Sequence, residues 1–343
     1  NASNDAAALG APDVVVIATK GQGIPAIAPA VKALCGENTL VVPAVNGIPW
    51  WFFQMKAVPL SGTALSSVDP HGEIARAIAF AHLKEAPLDL TVRRDPEAWC
   101  ETLGAVMLPT GTLRRSAGGA IMGLPGYDEG AWWVQDAGAA LPARLLGDIA
   151  GERVLDLCAA PGGKTAQLAA AGAQVTAIDR SPRRLERLNA NLARLALPVE
   201  SLVADAAQWR PAAPYPFILL DAPCTATGAI RRHPDVPRLK TPDDVARLAL
   251  VQERLIAAAV EMLAPGGMLV YCTCSLEPQE GVERTEKLLA DGAPVRRLPI
   301  TPAEIGGLAE CVTPAGDLRT LPCHLSERDG IDGFYAARLV RQE

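Results

Sequence analysis

Apolar and polar positions alternate most regularly in the second half of the 343-residue chain. Short apolar runs are separated there by longer segments in which apolar residues recur every three or four positions, the spacing of helices with one buried face. The predicted strands span 152–158, 174–179, 199–205, 216–224 and 267–275, and the predicted helices span 165–172, 181–197 and 242–264. Strands that alternate with helices in this way predict an α/β fold with a parallel, doubly wound sheet.

The first 134 residues carry two weaker patterns. An apolar strand at 13–18, a helix at 24–34 and a β-branched strand at 39–45 predict a single α/β repeat. Short alternating strands and one helix between 87 and 134 predict a small α+β subdomain. An amphipathic helix at 134–148 then leads into the doubly wound region. We therefore expect three regions, at 1–78, 79–134 and 135–343.

Composition narrows the class of protein. Hydrophobic residues make up 49% and charged residues 20% of the chain, a globular balance with no run long enough for a membrane-spanning helix. The eight cysteines are scattered without a C-x-x-C pair, and there are only four histidines, so we expect no metal site. The chain has no secretory leader and begins "NASND" without Met, which predicts a reduced, cytoplasmic setting and a fragment or processed product. The net charge of −6 argues mildly against a nucleic-acid partner.

Chemically active side chains recur where the predicted strands end. They are Asp156 and Cys158, Asp179, Asp205, Asp221 and Cys224, and Cys274. Ligands of open α/β sheets bind outside the carboxyl ends of the strands, so these groups are expected to surround one ligand site. Gly162 and Gly163 allow the backbone to approach that ligand closely. Asp179 lies where an acidic side chain accepts hydrogen bonds from ribose hydroxyls, so the pattern indicates the adenosine half of a nucleoside cofactor.

Two other interpretations of these residues are weaker. A phosphate-binding loop of the form G-x-x-x-x-G-K-[ST] would need glycine at Cys158, so "GGKT" does not indicate a nucleotide triphosphatase. Cys272 and Cys274 point to the same face of their strand, but only Cys274 lies at its tip. We therefore expect Cys158 and Cys272 to be packing residues and Cys274 to be chemically active.

The motifs resemble a known family of enzymes. "DLCAAPGGKT", "AIDRS", "VADA", "DAPCTATGAIRRHPD", "YCTCS" and "DGFYAARL" occur in the order found in the Nop/Sun RNA cytosine-C5 methyltransferases. The likeness covers about 80–343 and is greatest to the RsmB-type members, which modify small-subunit (16S-type) ribosomal RNA. It implies a Rossmann-like class I methyltransferase sheet, preceded at 87–134 by an RNA-recognition-like subdomain.

The resemblance also implies the cofactor and the roles of individual residues. S-adenosylmethionine would be held by the segment from Cys158 to Lys164, that is by Cys158, Ala159, Ala160, Pro161, Gly162, Gly163 and Lys164, and by Asp179, Asp205 and Asp221. Cys274 would add to C6 of cytosine and activate C5 for methylation, and Cys224 would assist product release. Asp221 would hydrogen-bond the base near N3. The target cytosine would be unstacked, which favours single-stranded or looped RNA.

Three alternatives remain open at this stage. A cytosine-C5 DNA methyltransferase would use Cys224 of the "PC" motif as its nucleophile and would not need Cys274. Residues 1–78 resemble part of a ketopantoate-reductase-type Rossmann domain instead of the helical domain that RsmB-type enzymes carry, which predicts a fusion near 78–84 and leaves a reductase open. The third alternative is a protein that binds the cofactor but no longer methylates RNA.

Overall fold

A computed structural model describes residues 85–116 and 119–343, together with two short strands nearer the start of the chain. These strands, β1 (Val14–Ile17) and β2 (Leu40–Pro43), pair in parallel, as the predicted α/β repeat requires. The helix predicted at 24–34 and most of the region compared with a ketopantoate reductase lie outside the described residues. The region boundaries at 78 and 134 stay predictions.

A small antiparallel sheet comes next in the chain. Its elements are β3 (Leu88–Val92), α1 (Pro96–Leu103), β4 (Val106–Met107), β5 (Leu113–Arg115) and β6 (Trp132–Val134). The strands lie in the order β4-β5-β3-β6. Alternate apolar residues on one face of the sheet meet α1 in a compact core of Leu90, Leu103, Leu113 and Trp132.

The rest of the chain forms a second, larger sheet covered by helices. Its elements are α2 (Ala137–Arg144), β7 (Arg153–Leu157), α3 (Gly163–Ala170), β8 (Gln174–Asp179), α4 (Pro182–Arg194), β9 (Glu200–Val203), β10 (Tyr215–Asp221), α5 (Val236–Leu239), α6 (Pro242–Met262), β11 (Leu263–Thr273), α7 (Val282–Ala290), β12 (Val295–Arg297), β13 (Leu318–Thr320) and β14 (Phe334–Arg341). The strand order is β12-β14-β11-β10-β7-β8-β9, and β13 pairs with β14. The five strands β7 to β11 are parallel and β14 is antiparallel. The predicted doubly wound α/β sheet is confirmed.

The order of these strands reverses at β7. After β7 the chain continues with β8 and β9 on one side of β7, and then with β10 and β11 on its other side. Ligands bind at such a switch point, outside the carboxyl ends of the strands. Leu157 of β7 lies opposite Leu220 of β10, so the residues that follow these two strands meet at the same crevice.

Apolar side chains on the two faces of the sheet hold the helices in place. On α4, Leu185, Leu188 and Leu192 recur at helical spacing and are buried, while Ser181 caps the helix and Pro182 opens it, as predicted. Thr241 and Asp244 form a reciprocal capping box at the start of α6. Among the helices that the structure describes, none is both long enough and apolar enough to span a bilayer.

Candidate functional site

Two residues of the turn after β7 adopt a left-handed backbone. Cys158 has φ 63° and Gly162 has φ 104°, and the peptide bond between Ala160 and Pro161 is cis. A Cβ atom at position 162 would lie 2.9 Å from Cγ of Leu188 on α4. Only glycine therefore satisfies both the backbone angle and the close packing of this turn against α4.

Asp179, at the end of β8, holds this turn in place. Its carboxylate accepts hydrogen bonds from the backbone N–H groups of Ala160, at 3.2 Å, and Ser181, at 2.9 Å. Arg184 forms an ion pair with Asp179 at 3.3 Å and also donates to the carbonyl oxygen of Ala160. The predicted ribose acceptor thus lies beside the glycine turn, is 2% exposed, and orders the turn through its own hydrogen bonds.

Asp156 lies inside β7, directly below the turn. One carboxylate oxygen, Oδ2, accepts a hydrogen bond of 2.6 Å from the Thr165 hydroxyl, whereas Oδ1 is buried without a hydrogen-bond partner. Burial raises the pKa of the Asp156 carboxyl group to about 7, against the smaller, opposing effect of the Thr165 hydrogen bond. A polar atom left unsatisfied at this depth marks a place where a ligand could supply a donor.

Lys164 and Asp221 form a half-buried ion pair across the switch point. Nζ of Lys164, on α3, lies 2.8 Å from Oδ2 of Asp221, at the end of β10, and 4.9 Å from the centre of the Phe334 ring. Burial alone would lower the pKa of Lys164, but the nearby charge of Asp221 outweighs it, and the net pKa is raised. Lys164 therefore remains a fixed positive charge next to the crevice.

Cys272 contacts the other oxygen of Asp221. Its Sγ lies 3.5 Å from Oδ1 of Asp221, and its side chain is fully buried in β11. Burial, reinforced by the charge of Asp221, raises the pKa of this thiol well above its usual value. Cys272 is therefore a protonated packing residue, as the sequence predicts.

Cys224 and Cys274 are brought together at the edge of the sheet. Cys224 lies in the loop after β10, Cys274 directly follows β11, and their sulfur atoms are 3.5 Å apart. The hydrogen bond to Cys274 and burial together raise the pKa of the Cys224 thiol well above its usual value. Within the described part of the chain, all seven cysteines are free thiols.

The remaining predicted ligand residues occupy the same sheet edge. Cys158 is half-buried and packs against the core, and burial raises the pKa of its thiol. Asp205 lies exposed in the loop after β9, where its Oδ1 accepts from the backbone N–H of Ala207 at 3.0 Å.

A cavity of about 500 Å³ opens beside the glycine turn, between the large sheet and residues of the small one. Its lining includes Gly162, Gly163, Lys164 and Asp221 on one side and Trp133 on the other. The cavity thus connects the predicted cofactor turn with the ion pair of Lys164 and Asp221.

Sequence reasoning missed the polar residues that support this site. Glu280 accepts hydrogen bonds from Thr225 and Ser275, the residues that follow the two cysteines, and Gln252 from α6 joins the same network. Arg184, which pairs with Asp179, was also missed. Glu280 lies in the polar segment "EPQEG", whose sequence has the composition of an ordinary surface turn, so no local signal distinguishes it.

Comparison with known proteins matches the sequence and the fold. The family model described as 16S rRNA methyltransferase RsmB/F matches residues 143–340. Ribosomal RNA small subunit methyltransferase B of Pseudomonas syringae pv. tomato is 40% identical over 281 residues, covering 77% of this chain and 62% of that protein. Its namesake in Vibrio cholerae is 42% identical over 224 residues, covering 64% of this chain and 48% of that protein.

Solved structures agree at the level of the fold. A methyltransferase homologue from Pyrococcus horikoshii superposes with a TM-score of 0.63 and 28% identity, covering 79% of this chain and 92% of its own. NSun6 from the same organism superposes with a TM-score of 0.56 and 24% identity, covering 67% of this chain and 60% of its own. The sheet is therefore that of a class I methyltransferase.

The similarity covers a defined part of this chain and of its relatives. The chain spans 62% of the length of the Pseudomonas relatives. The family model covers the glycine turn, the ion pair of Lys164 and Asp221 and both cysteines of the sheet edge. The chain belongs to the RsmB/F family of 16S rRNA methyltransferases.

Proposed function

We propose that this protein transfers a methyl group from S-adenosylmethionine to C5 of a cytosine in RNA, with small-subunit ribosomal RNA as its substrate. The observation that carries the proposal is the 3.5 Å separation of the Cys224 and Cys274 sulfur atoms at the sheet edge that also holds Asp221 and Lys164. Two adjacent thiols suit a covalent route to C5 in which one thiol attacks C6 and the other assists release of the product. Relatives named as small-subunit ribosomal RNA methyltransferases support the substrate class.

The residues at the crevice fit the proposed cofactor. The turn from Cys158 to Gly163 consists of small residues and leaves its backbone accessible. Asp179 ends β8, and Asp205 follows the neighbouring strand β9. The unpartnered Oδ1 of Asp156 accommodates a further donor. S-adenosylmethionine, when bound there, supplies an electrophilic methyl group. These residues bind and orient it.

In the proposed reaction, the Cys274 thiolate forms a bond to C6 of the cytosine, and C5 becomes nucleophilic enough to take the methyl group. Removal of the C5 proton by a base then restores the C5–C6 double bond, and the bond between Cys274 and C6 breaks. Cys224, held as a thiol 3.5 Å from Cys274, is placed to assist this release. Asp221 is proposed to hydrogen-bond the base near N3, while Lys164 offsets the negative charge that accumulates around Asp221 and the attacking sulfur.

Trapping on RNA that contains 5-azacytidine tests the assignment of the two cysteines. The nitrogen at position 5 of that base blocks the release step, so the enzyme stays covalently attached to the RNA. We expect the adduct in the wild type and in Cys224→Ser, and its loss in Cys274→Ser. Cys323→Ser, which removes an exposed thiol, is the matched control and should trap like the wild type.

The same experiment separates the alternatives. Loss of the adduct in Cys224→Ser, with retention in Cys274→Ser, would assign the chemistry of a DNA-type cytosine methyltransferase instead.

A second experiment tests whether the methyl group is transferred. The protein is incubated with protein-free small-subunit ribosomal RNA and isotopically labelled cofactor, and mass spectrometry of the nucleosides should show labelled 5-methylcytidine. Cofactor binding without labelled nucleoside would instead support a protein that has lost the transfer activity.

A further inference from the structure

Glu280 is a carboxylate buried at the base of the two cysteine loops. It ends a short 3-10 turn between β11 and α7 and is 0% exposed. Its two oxygens accept hydrogen bonds from the backbone N–H of Thr225 at 3.0 and 3.1 Å, from the Ser275 hydroxyl at 2.6 Å, from Nε2 of Gln252 at 3.3 Å and from the Thr225 hydroxyl. Every partner can donate to the carboxylate.

These donors belong to the segments that carry the reacting thiols. Thr225 follows Cys224 and Ser275 follows Cys274, so one carboxylate joins the two loops immediately next to the cysteines. Gln252 extends the connection, because its Nε2 also donates to the carbonyl oxygen of Pro223 at 2.9 Å. The loops are joined again where the backbone N–H of Gly228 donates to the carbonyl oxygen of Cys274 at 2.9 Å.

The free-energy cost of burying the Glu280 carboxylate indicates a role beyond packing. Burying a carboxylate away from water is expensive unless strong hydrogen bonds or a cation compensate for it. Within the described residues, the partners of Glu280 are all neutral donors. Its charge lies close enough to Cys224 to contribute to the raised pKa of that thiol, after the larger effects of Cys274 and burial.

We propose that Glu280 is a positioning residue for methyl transfer, which fixes the separation of the Cys224 and Cys274 sulfur atoms and adds to the effects of Cys274 and burial that favour the thiol form of Cys224. This inference rests on the proposed function. Glu280 touches neither substrate nor cofactor in it and acts through Thr225 and Ser275. Substitution by glutamine replaces one acceptor oxygen with an amide donor that faces groups which already donate, and it also removes the charge near Cys224.

The test compares Glu280→Gln with Glu283→Gln, an exposed carboxylate three residues later on α7. The first readout is the rate of adduct formation with 5-azacytidine RNA. We expect Glu280→Gln to slow it by about 10-fold to 100-fold, because misplacement of a reacting group by about 1 Å has effects of this size. Glu283→Gln should trap at the wild-type rate.

The second readout does not depend on RNA. The rate of alkylation of Cys224 by iodoacetamide is measured against pH in Cys274→Ser and in Cys274→Ser combined with Glu280→Gln. Removal of the Glu280 charge should shift the profile of Cys224 to lower pH, a change that a purely structural role would not produce. The proposal would be overturned if Glu280→Gln formed the adduct at the wild-type rate and if adding Glu280→Gln to Cys274→Ser left the alkylation profile of Cys224 unchanged.

A second variant tests the proposal if Glu280→Gln does not fold. If circular dichroism shows that Glu280→Gln is unfolded, Thr225→Val decides the question, since it removes one hydroxyl donor and keeps the Thr225 backbone N–H and the carboxylate. It should slow adduct formation several-fold and leave the alkylation profile of Cys224 unchanged, whereas a wild-type rate would refute the positioning role. Failure of the wild type to form any adduct would count against the proposed function, and the alkylation profile would still test Glu280.

Discussion

The sulfur atoms of Cys224 and Cys274 lie 3.5 Å apart, although 50 positions separate the two residues in the chain. The parallel pairing of β10 with β11 explains this proximity. Asp221 lies opposite Cys272 in that ladder, so the segments that follow the two strands leave the sheet side by side.

Oxidation of this pair should inactivate the protein reversibly. A disulfide requires the sulfur atoms to close to about 2.05 Å, which is a movement of about 1.5 Å between two loops. Diamide, a diazene that takes up the two thiol hydrogens, should link Cys224 to Cys274 and abolish adduct formation with 5-azacytidine RNA. Dithiothreitol should restore it.

Non-reducing peptide mass spectrometry would identify the linked cysteines. Cys224→Ser serves as the control, because it keeps the attacking thiol and removes its partner. Inactivation of that variant by diamide to the same extent as the wild type would show that another cysteine is responsible.

Removal of the Lys164 charge should affect both stability and chemistry. Lys164→Met leaves Asp221 without its cationic partner, and we expect a loss of about 1–3 kcal/mol in the free energy of unfolding. The expected loss is modest because the Asp221 side chain is 32% exposed, so water solvates part of its charge. Adduct formation should fall at least 10-fold, in line with the loss of a charged group at a reacting centre.

Urea denaturation measures the stability change, with Lys287→Met as the control. Lys287 is an exposed lysine that pairs with Asp291 on the surface, so its removal should leave the free energy of unfolding close to that of the wild type. Equal effects of the two substitutions would contradict the structural role assigned to Lys164.

Asp156 should give the free energy of unfolding a distinct pH dependence. Its folded-state pKa, raised to about 7, exceeds the ordinary value of 3.8, so between these values the folded protein binds the proton more tightly than the unfolded chain does. Stability from this group is therefore complete below pH 4, decreases as the pH rises to about 7, and is constant above that. The full change is on the order of 4 kcal/mol.

Guanidinium denaturation at several pH values between 4 and 8 tests this for the wild type and Asp156→Asn, which imitates the protonated acid and does not titrate. The difference in unfolding free energy, wild type minus variant, should fall as the pH rises. A difference independent of pH would show that Asp156 does not titrate in this range.

The Arg114–Asp89 pair should be a main determinant of stability in the small sheet. Arg114 makes two hydrogen bonds of 2.7 Å to Asp89, both side chains are buried, and Arg114 also donates to the carbonyl oxygens of Arg328 and Gly330. Arg114→Met removes the guanidinium group that makes two hydrogen bonds to a buried carboxylate, and we expect a loss of about 3 kcal/mol in the free energy of unfolding. Urea denaturation measures this loss, with Arg187→Met as the control. Arg187 is an exposed arginine of α4, so its removal should change the free energy of unfolding much less than Arg114→Met does.

The fold of the larger sheet could be predicted closely because its strands are buried and its helices are strongly periodic. The strand predicted at 174–179 and the opening of α4 at Pro182 agree with the structure. The strand predicted at 267–275 starts four residues earlier, at Leu263, and ends two residues earlier, at Thr273. Local chemistry is sufficient in these cases. Serine at the cap and proline at the first position favour the start of a helix, and a continuous apolar run is typical of a strand buried on both faces.

The sequence by itself determined which residue types lie at the strand ends, because strand ends follow from local pattern, and it therefore identified Asp179, Asp221, Cys224 and Cys274. Only the tertiary structure decided which of them touch. The contact between the two sulfur atoms, the pairing of Lys164 with Asp221 and the burial of Glu280 all depend on strand order and register. Strand order and register are set by packing between segments that are distant in the chain. The residues next to Glu280 in the sequence therefore do not indicate that it is buried.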